Sequence, residues 1–452
     1  MKKISFGTPE KFVPSVFCKK LNYIDSDVKY DLEKIKFRKT SRGCLVEFPL
    51  ESDEEVYGFG LQLKGFDHKG RKLCLKTNSD PVAYTGDSHA PVPFFVTTKG
   101  YGIYFDTARY VEAYCGYNRK ELKNSTGRGN VGLTTDDIYE VRIQNSTSTM
   151  LVEIPVAKGI DIYLFEGENI LDVVSQYNMF SGGGCDVPEW GFEVLYRAYA
   201  EYNQDKIARL ADFFRENDYE VGIIGLEPGW QTNSYSCSYV WDEERFPNPD
   251  KLVKQLKDKN YHINLWEHAF IGAAAPFYTE IMPYCGEFEV WKGFVPDFAM
   301  DRARKIFSEY HRKYLVEHGI DGFKLDECDS SDYVSHWSFP NCAQFPSGLD
   351  GEQYHQLFGV LYMQTILDAL GNNKTLSEVR SAGALSASYP FVLYSDLYNH
   401  RDFIRGVANS GFSGILWTPE LRDAKDKDEF LRRLQTTVFS VQCVINAWYC
   451  PE

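Results

Sequence analysis

The sequence predicts an α/β protein, namely a (β/α)8 barrel preceded by a β-sandwich domain. Two observations carry this prediction. The first 180 residues or so consist of short runs in which apolar and polar residues alternate, separated by Gly, Asn and Asp turns. From about residue 190 onward, eight apolar strand candidates alternate with amphipathic helical stretches. This second region has about the size and the rhythm of a (β/α)8 barrel.

The N-terminal runs are typical of sandwich strands because successive side chains of a strand point to opposite faces of the sheet. The runs are CLVEFPL, EEVYGFGLQL, RKLCLKTN, VPFFVTT, GYGIYFDT, IYEVRIQN, TMLVEIPV and DIYLFEG. The segment SGGGCDVPEW, residues 181–190, places three Gly and a Pro between the two patterned regions. We therefore predict an N-terminal β-sandwich domain over 1–185 and a barrel over 186–452. The sandwich is expected to pack on the barrel, with HAPVPFF, residues 89–95, near the barrel mouth.

Eight segments of the C-terminal region read as barrel strands. They are 193–199, 221–227, 262–268, 322–327, 375–380, 391–396, 413–418 and 443–448. An open doubly wound sheet is the alternative, but no glycine-rich phosphate-binding motif follows the first strand, which disfavours it. The barrel is expected to be truncated after its eighth strand.

Composition and charge exclude several classes of protein. A net charge of −15 without a basic stripe argues against a nucleic-acid partner. No run of about 18 apolar residues is present, so no membrane span is predicted. The 11 Cys residues are scattered, without a CxxC pair, as is typical of reduced thiols. The N-terminus, MKKISFGTPEKFVP, lacks the apolar region of a signal peptide, which predicts a cytoplasmic location.

Polar residues gather at the predicted strand ends, where the chemistry of such barrels is located. They are Arg197, Glu227, Glu267 with His268, Asp326, Arg380, Asp396, Glu420 and Asn446. The densest segment is DGFKLDECDSSDY, residues 321–333, which holds five acidic residues. Clustered acids repel one another, so a fold does not need them for stability. This acidic segment has three explanations: a metal site, a nucleophilic carboxylate in a sugar-cleaving barrel, or a solvated loop.

From about residue 55 onward, these motifs resemble those of glycoside hydrolase family 31. GFKLDECD is similar to the family's K-x-D-x-x-E nucleophile strand. RSAGALSASYPFVLYSD, residues 380–396, aligns without a gap to the stretch that begins with the family's sugar-binding Arg and ends with its acid/base Asp. The segments 242–268, 409–417 and 432–440 follow the family pattern as well. Family members continue with a last helix and C-terminal β-domains, so the chain resembles a fragment.

The resemblance implies a retaining, exo-acting α-glycoside hydrolase that works by double displacement through a glycosyl-enzyme intermediate. Asp326 would be the nucleophile and Asp396 the general acid/base, with their carboxyl groups about 5–5.5 Å apart. We expect Lys324 and Arg380 to keep Asp326 ionised, and an apolar wall beside Tyr394 to raise the pKa of Asp396. Neither a metal nor a cofactor is expected.

The same resemblance suggests a ring of sugar-binding side chains. Its predicted members are Glu227, Trp230, Trp266, Lys324, Arg380, Trp417, Glu420 and Asn446. Glu227 reads equally as a buried salt-bridge partner, and the three Trp residues read equally as core. Asp329 and Asp332 are more readily explained as loop or capping acids than as ligands.

The chain departs from the family pattern at three positions of this ring. Glu227 stands where Asp is usual, and Glu420 and Asn446 stand where His is usual. We therefore expect maltose-type glucosides to be poor substrates and an α-galactoside to be one alternative. The predicted partner is an oligosaccharide or glycoside substrate of the α-glucosidase or α-galactosidase type. An α-xylosidase and a non-catalytic carbohydrate-binding protein are the competing functions.

Overall fold

The computed structural model describes residues 1–79, 83–117, 148–329, 337–396, 399–422 and 424–447. Within these residues it shows two antiparallel sheets followed by a closed parallel barrel, so the predicted fold class is confirmed. The run IYEVRIQN and Asp332 lie outside the described residues. The domain boundary at residue 185 stays a prediction.

The N-terminal part consists of two five-stranded sheets packed face to face. One sheet has the order β1-β10-β7-β6-β4 and the other β2-β3-β9-β8-β5. Their strands are β1 Lys2–Gly7, β2 Lys36–Lys39, β3 Gly43–Leu50, β4 Val56–Gly60, β5 Lys72–Leu75, β6 Pro91–Thr97, β7 Tyr101–Asp106, β8 Val111–Tyr117, β9 Ser148–Pro155 and β10 Gly159–Glu166. Buried Val46, Phe48, Phe95 and Ile103 fill the space between the sheets. The alternation of β9, for example, places every second side chain in this core.

Helices surround the barrel and connect it to the sandwich. They are α1 Pro14–Phe17, α2 Ile170–Phe180, α3 Gln204–Glu216, α4 Pro249–Lys257, α5 Tyr278–Ile281, α6 Asp301–Tyr314, α7 Gly351–Leu370, α8 His400–Phe412 and α9 Lys427–Thr437. Helix α2 begins after Asn169, whose side chain accepts the first free backbone N–H groups. Its Tyr177 stacks on Phe94 of β6, with ring centroids 3.9 Å apart.

Eight parallel strands close the barrel. They are β11 Val194–Ala198, β12 Val221–Leu226, β13 His262–His268, β16 Gly322–Asp326, β17 Ser377–Val379, β18 Phe391–Ser395, β19 Trp417–Leu421 and β20 Val444–Asn446. Pairing of Leu195 with Val444 completes the circle. The seventh strand begins later than the predicted 413–418, because Ser413 and Gly414 belong to the turn after α8.

A small hairpin interrupts the regular alternation between the third and fourth barrel strands. It consists of β14 Cys285–Val290 and β15 Gly293–Pro296, which pair antiparallel. Trp291 and Lys292 form its turn, and both have positive φ angles. The hairpin brings Trp291 to the rings of His268 and Phe270, at the end of β13.

The sandwich packs directly on the barrel. Asn409 of α8 donates through its side chain to the carbonyls of Gln62 and Gly65, each at 2.7 Å, and Ser413 accepts the N–H of Gly60. One continuous apolar core includes residues of both parts. No helix of the described ranges is long and apolar enough to cross a membrane.

Candidate active site

Asp326, the predicted nucleophile, ends the fourth barrel strand and is held by two N–H donors. The indole Nε1 of Trp266 donates to Oδ2 at 2.7 Å, and the backbone N–H of Glu327 donates to Oδ1 at 2.8 Å. Trp266 itself is buried on β13, which pairs with β16. The carboxylate is only partly buried. Its orientation is therefore fixed while it remains open to the barrel mouth.

Glu327 follows Asp326 in the left-handed region, with φ of 57°. A non-glycine residue in this region is uncommon and is found more often at functional sites. Burial raises the pKa of the Glu327 carboxyl well above its usual value, and the neighbouring charges of Asp326 and Asp329 raise it further. The surroundings of Glu327 therefore favour the protonated form of its carboxyl.

Asp396, the predicted acid/base, lies just beyond the sixth strand between two arginines. Arg380 Nη1 donates to its Oδ2 at 2.5 Å, and Arg422 Nη1 donates to its Oδ1 at 2.9 Å. Burial alone would raise the pKa of Asp396, but the charges of Arg380 and Arg422 outweigh it and hold the pKa well below its usual range. The expectation that an apolar wall raises this pKa is wrong.

A chain of buried polar contacts connects this arginine to the sandwich. Arg380 Nε also donates to Asp329 Oδ2 at 3.1 Å, and His89 Nδ1 lies 2.9 Å from the same oxygen. The hydroxyl of Ser381 donates to the carbonyl of His89. Asp329 lies in the turn after the fourth strand and is a buried ion-pair partner of Arg380. The N-terminal domain reaches the barrel mouth at His89.

Below Asp326, the barrel interior holds a network of buried charges. Lys324 donates to Glu420 Oε1 at 2.6 Å and lies 3.6 Å from Glu227 Oε1, while Asn446 donates to Glu420 Oε2 at 2.8 Å. Burial would lower the pKa of Lys324, but Glu227 and Glu420 raise it above the usual value. Arg197 donates to Glu227 at 3.1 Å. Hence Glu227, Glu420 and Asn446 are paired within the protein.

Arg197 is the second cation of this network. It is fully buried and donates to Asn264 at 2.7 Å and to Glu378 of the fifth strand. Burial raises the pKa of Glu227, and the nearby cations Lys324 and Arg197 oppose that effect. The ion pairs of Lys324 are with Glu227 and Glu420, and those of Arg380 are with Asp329 and Asp396. That these two cations keep Asp326 ionised stays a prediction.

The three predicted Trp ligands have different environments. Trp230 donates its N–H to the carbonyl of Trp266 and is 1% exposed. Trp417 packs on Phe403 of α8 and donates to Ser395. Both are core residues, which argues against the predicted sugar contacts. Only Trp266 touches a predicted catalytic residue.

Glu267, another strand-end acid, does not face the barrel mouth. Its carboxylate accepts from Tyr362 at 2.6 Å and lies 2.9 Å from Nε2 of His311, both of which belong to helices. The neighbouring His268 is fully buried, and burial lowers its pKa to about 3. His268 is therefore neutral near pH 7.

Sequence reasoning missed Arg422, and it placed His89 near the barrel mouth only as part of the segment 89–95. Arg422 lies two positions after Glu420, and residues two apart on a strand share a face. That spacing was a usable signal once Glu420 was placed at the seventh strand. Nothing in the sequence near His89 indicated a contact with Asp329, since the two residues are 240 positions apart.

The fold and the site together define a (β/α)8-barrel protein with carboxylates at the ends of its fourth and sixth strands. Residues 185–448 match the family model for the glycosyl hydrolases family 31 TIM-barrel domain. Residues 21–113 match the model for the glycosyl hydrolase 31 N-terminal galactose mutarotase-like domain. The chain belongs to glycosyl hydrolase family 31.

Curated relatives are distant. The alpha-xylosidase XylQ of Lactiplantibacillus pentosus is 21% identical over 341 residues, covering 72% of this chain and 40% of that protein. An alpha-glucosidase of Saccharolobus solfataricus is 25% identical over 307 residues, covering 64% of this chain and 40% of that protein. The chain thus spans well under two thirds of the length of these relatives.

Solved structures share the fold. A Flavobacterium johnsoniae GH31 dextranase complexed with glucose superposes with a TM-score of 0.74 at 17% identity, over 94% of this chain and 53% of that one. A GH31 alpha-xylosidase from a soil metagenome, complexed with xylose, has a TM-score of 0.70 at 17% identity, over 91% of this chain and 59% of that one. Similarity at this level supports the architecture alone.

Proposed function

We propose that the chain carries the catalytic barrel of a retaining, exo-acting α-glycosidase in which Asp326 is the nucleophile. The observation that carries this proposal is the held carboxylate of Asp326 at the barrel mouth. The N–H groups of Trp266 and Glu327 fix both oxygens, so the carboxylate needs little reorientation to attack an anomeric carbon. Attack there would form a bond from carbon to the carboxylate oxygen and release the leaving-group oxygen.

Asp396 is the proposed acid/base of the same reaction. In the first step it must give a proton to the leaving oxygen, and in the second it must take one from water. The two arginine contacts favour its ionised form, which suits the second step. For the first step, substrate must release at least one arginine so that the carboxyl can hold a proton. Arg380 is the arginine that can leave Asp396, because it keeps its ion pair with Asp329.

The proposed substrates are α-glucosides and α-xylosides. Relatives named alpha-glucosidase and alpha-xylosidase both match the chain. The argument for an α-galactoside rested on Glu227, Glu420 and Asn446 facing the sugar, yet these side chains are paired with one another and with Lys324. An α-galactoside therefore becomes the third substrate to assay rather than the first.

A non-catalytic carbohydrate-binding protein is the second candidate. The observation that favours it is the double arginine contact of Asp396, because an acid that stays ionised cannot protonate a leaving group. The two candidates differ in one measurable respect, since only the enzyme turns over an activated α-glycosyl donor.

The test is hydrolysis of nitrophenyl α-glucoside, α-xyloside and α-galactoside by the full-length protein. We expect turnover of the glucoside or the xyloside, and its loss in Asp326→Asn. Asp301→Asn removes an exposed acid on α6 and is the matched control, expected to retain full activity. Turnover that survives in Asp326→Asn would refute the assigned nucleophile. Binding without turnover of any α-glycoside would favour the carbohydrate-binding alternative.

A further inference from the structure

A row of aromatic rings leads from the predicted nucleophile to the surface. Trp266, which donates to Asp326, lies 5.5 Å from Tyr235 between ring centroids. Tyr235 lies 4.9 Å from Trp291, and Trp291 lies 6.1 Å from Trp337. We call Trp266, Tyr235, Trp291 and Trp337 the aromatic row.

Four separate segments supply the aromatic row. Trp266 belongs to the third barrel strand and Tyr235 to the loop before it, whereas Trp291 forms the turn of the β14–β15 hairpin and Trp337 precedes α7. Such convergence of loops above the strand ends is where these barrels place their substrate contacts. The fold therefore brings these rings together at the barrel mouth from separate segments. They are not the apolar face of a single helix or strand.

The outer rings of the row are far from buried. Trp266 is 1% exposed, but Tyr235 is 48% and Trp337 47% exposed. A half-exposed Trp leaves much of its apolar area in water, so the fold gains little from it there. The planes of Tyr235 and Trp291 are inclined by 88°, and those of Trp291 and Trp337 by 68°. The pairs pack edge to face, and the exposed area of Tyr235 and Trp337 is open to contact with a flat, partly apolar ligand.

A polar group accompanies these apolar faces. The hydroxyl of Tyr235 lies 3.4 Å from Glu327 Oε1. The carboxyl oxygens of Glu327 accept hydrogen bonds, and the phenol of Tyr235 both donates and accepts them. Apolar faces next to groups that donate and accept match the chemistry of a sugar ring, which presents C–H faces and hydroxyl edges.

We propose that Tyr235, Trp291 and Trp337 bind the leaving-group sugar, so that the protein prefers α-linked disaccharides and longer oligosaccharides to glycosides with a small leaving group. This inference rests on the proposed glycosidase function. An exo-acting enzyme holds the terminal sugar at Asp326, and the row continues outward from that position. The outer rings therefore lie where the remainder of the substrate leaves the barrel.

The test compares each variant on a disaccharide and on a donor without a second sugar. Isomaltose is paired with α-glucosyl fluoride, and the disaccharide α-xylosyl-(1→6)-glucose is paired with α-xylosyl fluoride. The pair that the wild type hydrolyses faster is used. Trp337→Ala is expected to lower kcat/KM for the disaccharide about tenfold, because one aromatic contact is lost in the transition state. Its kcat/KM for the fluoride should stay within about twofold of wild type.

Two further variants sharpen the test. Phe288→Ala removes a ring of similar exposure, 41%, from the hairpin that carries Trp291, and Phe288 lies outside the aromatic row. This variant should leave kcat/KM unchanged for both the disaccharide and the fluoride. Trp337→Phe keeps an aromatic face and should restore part of the disaccharide rate. Equal losses on disaccharide and fluoride, or no loss on the disaccharide in Trp337→Ala, would overturn the proposal.

A binding measurement separates this proposal from the glycosidase function itself. If the wild type hydrolyses neither fluoride, the proposed function fails. The binding measurement still decides the inference, because it needs no turnover. In Asp326→Asn, tryptophan fluorescence is titrated with the disaccharide and with the matching methyl α-glycoside. Trp337→Ala added to this background should weaken disaccharide binding only, whereas unchanged disaccharide binding would refute the site.

Discussion

The arginine pair around Asp396 leads to a prediction about pH. In the free protein, the charges of Arg380 and Arg422 hold the pKa of Asp396 below its usual range. An acid with a low pKa is protonated only under acidic conditions, so kcat/KM should fall as the pH rises towards neutrality. Arg422→Gln removes one of the two cations. The pKa of Asp396 should then rise, and the alkaline limb of kcat/KM should move to higher pH.

The size of this shift follows from the geometry of the pair. At about 4 Å, two unit charges attract by about 1 kcal/mol in water and about 4 kcal/mol in a medium of effective dielectric constant near 20. The side chain of Asp396 is 40% exposed, so solvent screening places the contribution of Arg422 near the lower value. About 1–1.5 kcal/mol corresponds to about one pKa unit. We therefore expect the limb to move up by about one unit.

The assay is the pH dependence of kcat/KM on a disaccharide, whose leaving group needs a proton, and on the matching α-glycosyl fluoride, whose leaving group does not. The shift should be seen with the disaccharide and be much smaller with the fluoride. Arg432→Gln removes the same charge from α9, where Arg432 pairs with Asp428, and should leave the limb in place. A limb that stays fixed in Arg422→Gln, or that moves equally in Arg432→Gln, would refute the reasoning.

Three further predictions concern the catalytic carboxylates and the buried network. Asp396→Ala should lose nearly all turnover of disaccharides, whose leaving group needs a proton. With an α-glycosyl fluoride, whose leaving group needs none, azide should accelerate turnover of this variant and give an α-configured glycosyl azide, because a small anion can enter the vacated space and attack the glycosyl-enzyme. A β-configured product, detected by NMR, would contradict a retaining mechanism. Lys324→Met should lower the free energy of unfolding by about 3–5 kcal/mol, because it leaves the buried carboxylate of Glu420 without its cation and leaves Glu227 with Arg197 alone. Lys254→Met, on the exposed face of α4, should change little in the same denaturant titration. His89→Ala should reduce kcat/KM without preventing folding, because Arg380 loses part of the support it receives through Asp329. Unchanged kinetics in His89→Ala would show that Arg380 needs no help from the sandwich.

The sequence predicted the barrel and most of its strands because each strand is a short apolar run between turn signals. The seventh strand was misplaced because its observed range contains Pro419 and Glu420, which have low β propensity. Glu420 is accommodated there since its carboxylate meets Lys324 inside the barrel. Local propensity cannot anticipate a partner almost 100 residues away in sequence.

The polar residues at the strand ends were identified from the sequence, but the alternation of side chains between the two faces of each strand was not used to decide which of them face the barrel mouth. Side chains alternate along a strand, so Trp266 and Glu267 must point to opposite faces. Trp266 reaches Asp326, whereas Glu267 faces the helices. The pairing of Glu227 and Glu420 with buried cations depends on strands brought together only by barrel closure. The sequence offered no means of choosing between a sugar ligand and a salt-bridge partner at these positions.

The measurement that tests the central claim most directly is the identification of the residue that becomes glycosylated. A 5-fluoro-α-glycosyl fluoride, in the gluco or xylo series that the wild type accepts, slows the second step of double displacement and allows the covalent intermediate to accumulate. The intact protein should gain the mass of one fluorosugar. After digestion, the label should be found on the peptide that contains Asp326, and Asp326→Asn should acquire none. A fluorosugar attached to any other residue, or hydrolysis of the fluoride with an inverted product, would contradict the assignment of Asp326 as the nucleophile.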